Sequence, residues 1–242
     1  VQNKDELHLK GLAANVDGFI QRTYSLNYQL SINPIVANSI LQSQNRWETR
    51  VSEYNKKYNV ESGLGENSGL PLFSEIQQRY DFIELLFLQD TAGNQTARSY
   101  GKLGQRGNRW WFNQFMADPN HTAFFSKSYF SLTGNKPVSS VFHPIHNDGE
   151  LIGILGMDLN FDYLQEFVSK HIFSQDLYSM IIDNEGVIIA HPDKQKLREL
   201  YDLKRMTREI VVVDADHNPI MDASGHLKST EVDLEWAPEM SS

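Results

Sequence analysis

The chain has 242 residues, 40 % apolar and 11 % aromatic, enough for one large domain or two small ones with packed cores. Its net charge of -9 argues against a nucleic-acid binder, which needs clustered Lys and Arg, and the lack of cysteine excludes disulfides, thiolate metal sites and Cys nucleophiles. No apolar run approaches the ~20 residues that span a bilayer, no leader peptide is visible, and Val1 in place of Met fits a segment cut from a longer protein.

Residues 5–32 carry Leu9, Leu12, Val16, Phe19 and Ile20 at helical spacing. Asn33-Pro34 reads as a fresh helix start, cap followed by first-turn proline. Ile35, Ile40, Leu41, Trp47, Val51 and Tyr54 carry that helix on. The prediction is a helical stretch of about fifty residues with one proline kink, several times the mean helix length, suited to a stalk over residues 1–57. Its apolar stripe can mediate side-by-side homodimers or pack on the chain's own lobes.

Val60 to Leu70 reads as a polar loop, because Gly63, Gly65 and Gly69 lack the spacing and the preceding strand of a phosphate-binding loop. Phe82 to Gln89 is an apolar strand, Asp90 to Asn94 a turn, and a second strand runs to about Tyr100. A loop over Gly101 to Gly107 leads to Arg109, Trp110, Trp111 and Phe112, which open a short helical segment. A strand-like run reaches Tyr129, another spans Val138 to Ile145, and Asn147-Asp148-Gly149 makes a hairpin turn. The last strand, Leu151 to Met157, ends on Asp158, and a helix follows over Phe161 to His171 with Asn160 as its cap. One guanidinium, several rings, a phenol and a carboxylate are thus expected to converge on one side of a small sheet, the chemistry of a pocket for a small polar ligand.

A similar pattern follows. Tyr178 to Ile182 is an apolar strand, Asp183 to Gly186 a turn, and Val187 to Ala190 a return strand, in the form already seen at Leu86 to Gly93. This points to two related α/β lobes in tandem. The second lobe continues with a predicted helix near Lys194 to Arg208 and a strand over Ile210 to Val213, and the signal fades after Ala223.

Each candidate has a plainer reading beside it. Arg109 can hold a carboxylate through paired hydrogen bonds and Trp111 can wall the ligand, or Arg109 is a helix-end surface residue and the rings are core. Asp158 can bind an ammonium group or cap the next helix. Tyr129 can line a pocket or be an ordinary half-buried sheet tyrosine. His143 and His146 are three apart on a strand and face opposite ways, and Asp214, Asp216 and His217 read as a turn, so neither set predicts a metal. No hydrolase elbow, zinc-protease helix, phosphate loop or kinase signature occurs, and neither cofactor nor metal is expected.

With these residues in view, the chain resembles the double Cache (dCache) sensor domains of bacterial transmembrane receptors over nearly its whole length. The segment GELIGILGMDLNFDYLQEFV is similar to that family's closing strand and following helix. The resemblance implies an α/β (α+β) fold: a long N-terminal helix over 1–57, a membrane-distal ligand-binding Cache lobe over 58–165 and a membrane-proximal Cache lobe over 166–242. Each lobe would be PAS-like, a mostly antiparallel sheet flanked by helices. The pattern of the amino-acid-binding members falls on Arg109, Trp111, Phe112, Tyr129 and Asp158. It implies that the Arg109 and Trp111 region holds a ligand carboxylate while Tyr129 and the acids hold its amino group. Two positions depart from the pattern. Ser131 stands where a second acid is expected, and Gly104 stands where an aromatic is expected, with Tyr100 the nearest tyrosine.

The expected function is a periplasmic, ligand-sensing region of a membrane receptor, not itself an enzyme. It would bind a small amino-acid-like or carboxylate ligand, be tethered through helices absent from this chain, and precede a histidine kinase, diguanylate cyclase or chemotaxis output. The alternatives are a hydrolase or transferase built on Asp158 or the Asp214 group, and an interaction module with no small ligand.

Overall fold

The computed structural model describes residues 2–58, 70–133, 136–169, 178–222 and 226–234. The loop expected at Val60, with Gly63, Gly65 and Gly69, lies outside them. Helix α1 (Gln2–Ser31) is followed by α2 (Pro34–Leu41), whose cap Asn33 accepts a hydrogen bond from the Ile35 amide at 2.9 Å. The stalk is not continuous beyond that kink. Residues 42–46 are turns, with Asn45 in the left-handed region at φ 61°, and α3 (Trp47–Tyr58) starts anew.

By their contacts the residues form two units. The first comprises Val16–Ser126 and Ser139–Asn160. Its frame is a five-stranded antiparallel sheet of β1 (Ile83–Asp90), β2 (Gln95–Arg98), β3 (Phe124–Phe125), β6 (Ser140–Asn147) and β7 (Glu150–Leu159), in the order β2-β1-β7-β6-β3. Helices α4 (Pro71–Arg79) and α5 (Trp110–Ala117) complete it. The strands read as near-continuous apolar runs, and β7 is buried from Ile152 to Leu159, so both faces of the sheet are covered.

Strand alternation assigns the faces. At Gly153 a Cβ would stand 2.6 Å from the Ile40 side chain, so odd positions of β7 face α2. His143 looks to the same side, its Nδ1 2.6 Å from Asn27 Oδ1 on α1 and its ring 4.4 Å from that of Tyr24. Ile154, Gly156 and Asp158 therefore face the other way. By register, Phe87 on β1 and Phe142 on β6 flank Gly156, and Ser140 lies beside Asp158.

The second unit comprises Val1–Asn15, Lys127–Val138 and Phe161–Ser242. It holds the hairpin β4 (Tyr129–Phe130) and β5 (Pro137–Val138), helix α6 (Phe161–Ser169), and the pair β8 (Ile181–Ile182) and β9 (Ile188–Ala190). A sheet of β10 (Leu200–Asp202), β11 (Thr207–Val211) and β12 (Ser229–Asp233) completes it. Phe130, Val187 and Leu200 form a core, with Val211 and Leu227 against it. The expected helix over Lys194 to Arg208 is absent; only Lys194–Leu197 makes a 3-10 turn, followed by two strands. Asp202 takes the amides of Lys204 and Arg205, both at 2.9 Å, a local turn that competes with helix. Strand β12, where no signal was read, is exposed along its length and so carries no apolar alternation.

The repeated turn is confirmed in its atoms. Asp90 Oδ1 accepts the amides of Ala92 and Asn94, and Asp183 Oδ1 those of Glu185 and Val187. Gly93 and Gly186 supply the positive φ, 88° and 97°, that closes each turn.

Candidate functional site

Arg109 is the N-cap of α5, with an extended backbone (φ -70°, ψ 137°), and its side chain is buried rather than on the surface. Helix α5 then lays Trp111, Phe112 and Phe115 inward. The Trp111 indole stacks on Phe142 at 4.8 Å between centroids and 21° between planes, and lies 5.4 Å from Phe87. Phe124 stacks on Phe142 in turn, at 5.0 Å. Gly156 makes this arrangement feasible, since a Cβ there would collide with the Phe87 ring. The outcome is an aromatic floor on the sheet face away from α1 and α2.

Asp158 sits on that face at the end of β7, only 2 % exposed, and its Oδ1 accepts a 2.6 Å hydrogen bond from the Ser140 hydroxyl. A buried carboxylate is costly unless hydrogen bonds or a cation compensate it, and the Ser140 hydroxyl supplies one such bond. A β-bulge between Ile83 and Leu85 sets Glu84 beside the strand position opposite Asp158. Tyr100 donates to Glu84 Oε1 at 3.1 Å. Burial first, then Glu84, then the charge of Asp158 push the Tyr100 phenol well above its ordinary value, with Arg98 acting the opposite way. Tyr100 thus stays a hydrogen-bond donor to Glu84.

Arg109, Trp111, Phe112 and Asp158 therefore belong to one unit and are all buried. Tyr129 and Ser131 belong to the other unit. Both are buried there in the β4–β5 hairpin, where the Ser131 amide donates to Lys136 O at 2.9 Å and its hydroxyl accepts from the Thr133 amide at 3.3 Å. The sequence reading missed Ser140, Glu84, Phe87, Phe142 and Gly156. No local signal marked them, because β1 and β7 are near-continuous apolar runs and cross-strand partners are set by register. Among the described residues, no three acidic or histidine side chains are gathered as metal ligands. Asp214 Oδ1 instead accepts the amides of Asp216 and Asn218, the turn that was read there.

The Cache domain profile dCache_1 matches residues 2–234. The chain belongs to that family. Among curated proteins, this Cache chain is similar to the methyl-accepting chemotaxis protein PscA of Pseudomonas syringae pv. tomato, 25 % identical over 129 residues. That match covers 52 % of this chain and 19 % of PscA, so the Cache chain corresponds to about a fifth of that relative. Among solved structures it resembles the ligand-binding domain of the Pseudomonas aeruginosa PAO1 amino-acid chemoreceptor PctC in complex with GABA. There the TM-score is 0.53 and the identity 15 %, over 83 % of this chain and 81 % of that one. It also resembles the sensor domain of the V. cholerae histidine kinase DctB, with TM-score 0.54 and identity 12 % over 86 % and 84 % of the two chains. At such identities these likenesses establish the shared fold, the α/β dCache architecture. No helix among the described residues is long and apolar enough to cross a membrane.

A separate open cleft of about 460 Å³ in the first unit is lined by Arg46, Trp47, Glu48, Asp90 and Asn94 among others. None of the expected site residues lines it, and its walls carry both charge signs.

Proposed function

We propose that this Cache domain is the extracytoplasmic ligand-sensing part of a membrane signalling receptor. It takes a small amino-acid-like or carboxylate ligand at the face carrying Arg109, Trp111 and Asp158. One observation carries this reading: a guanidinium, an aromatic floor and a carboxylate are all buried in the same unit, with Asp158 and the rings on one face of its sheet. Arg109 would hold the ligand carboxylate, Trp111 and Phe112 would wall it, and Asp158 with the Ser140 hydroxyl would receive an ammonium group. Tyr129 and Ser131, which belong to the other unit, are ligand-contact candidates by the family pattern alone. The named relatives support the reading: a chemotaxis protein, an amino-acid chemoreceptor domain solved with GABA, and a histidine kinase sensor domain.

In this reading the chain performs no chemistry, has no cofactor, and signals by biasing two packings of its elements. Its place is the periplasmic side of the membrane, with the anchoring helices and the output domain lying outside this chain. A thermal-shift screen of amino acids and small carboxylates tests the reading, because a ligand of the folded state must raise the melting point by mass action. A dose-dependent rise that Arg109→Ala abolishes supports it. A screen with no rise at millimolar ligand removes it.

A further inference from the structure

The sheet face that carries Asp158 and the aromatic floor also carries a buried carboxamide. The register of β1 on β7 runs unbroken from Leu85 to Asp90, so Leu85, Phe87 and Gln89 share one face with their partners Asp158, Gly156 and Ile154. The Phe87 ring fills the space that a Cβ on Gly156 would need and lies 5.4 Å from the Trp111 ring, so Gln89 borders the floor. Its side chain is fully buried. Among the described residues neither its Oε1 nor its Nε2 has a hydrogen-bond partner.

A second polar group lies at the same end. Leu88 pairs with Ala97 and Gln89 with Gln95, which leaves Thr96 as the extra residue of a bulge in β2. Leu88 pairs with Leu155 and so faces α2, as does Ala97; Thr96, next along, turns to the face of Gln89. Its Oγ1 is buried and has no partner among the described residues either. Gln95, across the strands from Gln89, is engaged elsewhere, its Oε1 accepting from Arg98 Nη1 at 3.0 Å. Buried polar groups are paired in the great majority of cases, and a carboxamide unpaired at both ends disfavours the fold unless something outside the chain pairs with it.

We infer that Gln89 is a specificity-determining residue that reads the far end of the ligand and selects a terminal carboxamide. The inference rests on the reading that Asp158 and Arg109 hold the amino-acid end. A primary carboxamide donates and accepts at once, so it satisfies Nε2 and Oε1 of Gln89 together. An aliphatic end leaves both unpaired, and a carboxylate leaves Oε1 unpaired. The spacing fits. Asp158 lies four residues along β7 from Ile154, the partner of Gln89, or ~13 Å at ~3.3 Å per residue, and strand side chains stand roughly perpendicular to the sheet. A hydrogen bond of about 2.9 Å at each end leaves roughly 7 Å, about the length of an extended glutamine from ammonium to amide.

The test is calorimetric titration with L-glutamine against L-methionine, its apolar match in shape, and against L-glutamate. Wild type should bind glutamine roughly tenfold or more tighter than either. Gln89→Met should erase the preference over methionine while leaving methionine binding in place. Without ligand, this mutant should melt at or above the wild-type temperature, because it loses a buried group with no partner in the fold. Methionine or glutamate binding as well as glutamine overturns the inference, as does a preference that survives Gln89→Met. A mutant that melts well below wild type or fails to fold also overturns it, since the carboxamide would then serve the fold. If apolar amino acids bind wild type as well as glutamine does, and Arg109→Ala abolishes their binding, the inference falls while the site at Arg109 stands. If no amino acid or small carboxylate binds at all, both fall.

Discussion

Asp158 is fully buried beside the Ser140 hydroxyl, and what it does depends on the charge of the ligand. If the ligand carries an ammonium group, Asp158→Asn leaves that cation unpaired in a dry site and should abolish binding. For a plain carboxylate, Asp158→Asn should be nearly harmless. Calorimetry of the mutant with one ligand distinguishes the cases. The candidate site was legible in part: Arg109, Trp111 and Asp158 stand out as candidates, and the family resemblance assigns them their proposed roles. Ser140 was not legible, because its place beside Asp158 is set by the register of β6 on β7, which no local pattern encodes. Glu84 was hidden for a related reason: a bulge sets it beside the position opposite Asp158.

His143 belongs to the opposite face of the same sheet, packed on Asn27 and Tyr24 of α1. Burial lowers its pKa to about 4, below the ordinary histidine value of 6.5. The unfolded chain therefore binds this proton first as pH falls. The stabilisation is complete above pH 6.5 and is lost as pH falls toward 4, with a slope of at most about 1.4 kcal/mol per pH unit. Urea unfolding between pH 4 and pH 7 should show that loss, and His143→Gln should flatten it. An unchanged slope in the mutant would assign the pH dependence to other groups.

At the scale of elements, the helix start at Asn33-Pro34 was legible because capping chemistry is local. The break over residues 42–46 was not, since no proline or glycine marks it and Asn45 adopts positive φ as an ordinary-looking polar residue. A helix is expected near Lys194 to Arg208, where Asp202 turns the chain into β10 and β11 instead. Strand β7 carries its own test. Gly156 lies between Phe87 and Phe142, so Gly156→Ala forces the Phe87 ring off the floor. Overpacking of this kind costs about 1–3 kcal/mol, read as a lower urea midpoint at unchanged slope, with ligand binding weakened too. A mutant of wild-type stability that binds normally would show that the floor tolerates a side chain there.

For the whole molecule, the tandem organisation was legible from two matching Asp turns, at Asp90 and Asp183, which proved alike in their hydrogen bonds. The division by contacts was not, because residues 127–138 group with residues 161–242, and helix α1 contributes to both units. Leu7 and Leu9 of α1 are exposed, 67 % and 50 %. Of the stripe expected on α1, Leu12 and Phe19 are buried within the chain, which leaves Leu9 as its exposed member; if Leu9 mediates a side-by-side dimer, sedimentation should show association that grows with concentration and is lost in Leu9→Ser. A strict monomer at high concentration removes the dimer for this segment.

The central claim is that a buried arginine in the first unit anchors the carboxylate of a small ligand. The most direct measurement is calorimetric titration of wild type and Arg109→Ala with whichever amino acid or carboxylate raises the melting point. The account predicts wild-type binding and, in a mutant still folded by circular dichroism, a loss of about 3–5 kcal/mol, or on the order of a hundredfold or more in Kd. A folded Arg109→Ala protein that binds the same ligand at wild-type affinity would contradict it.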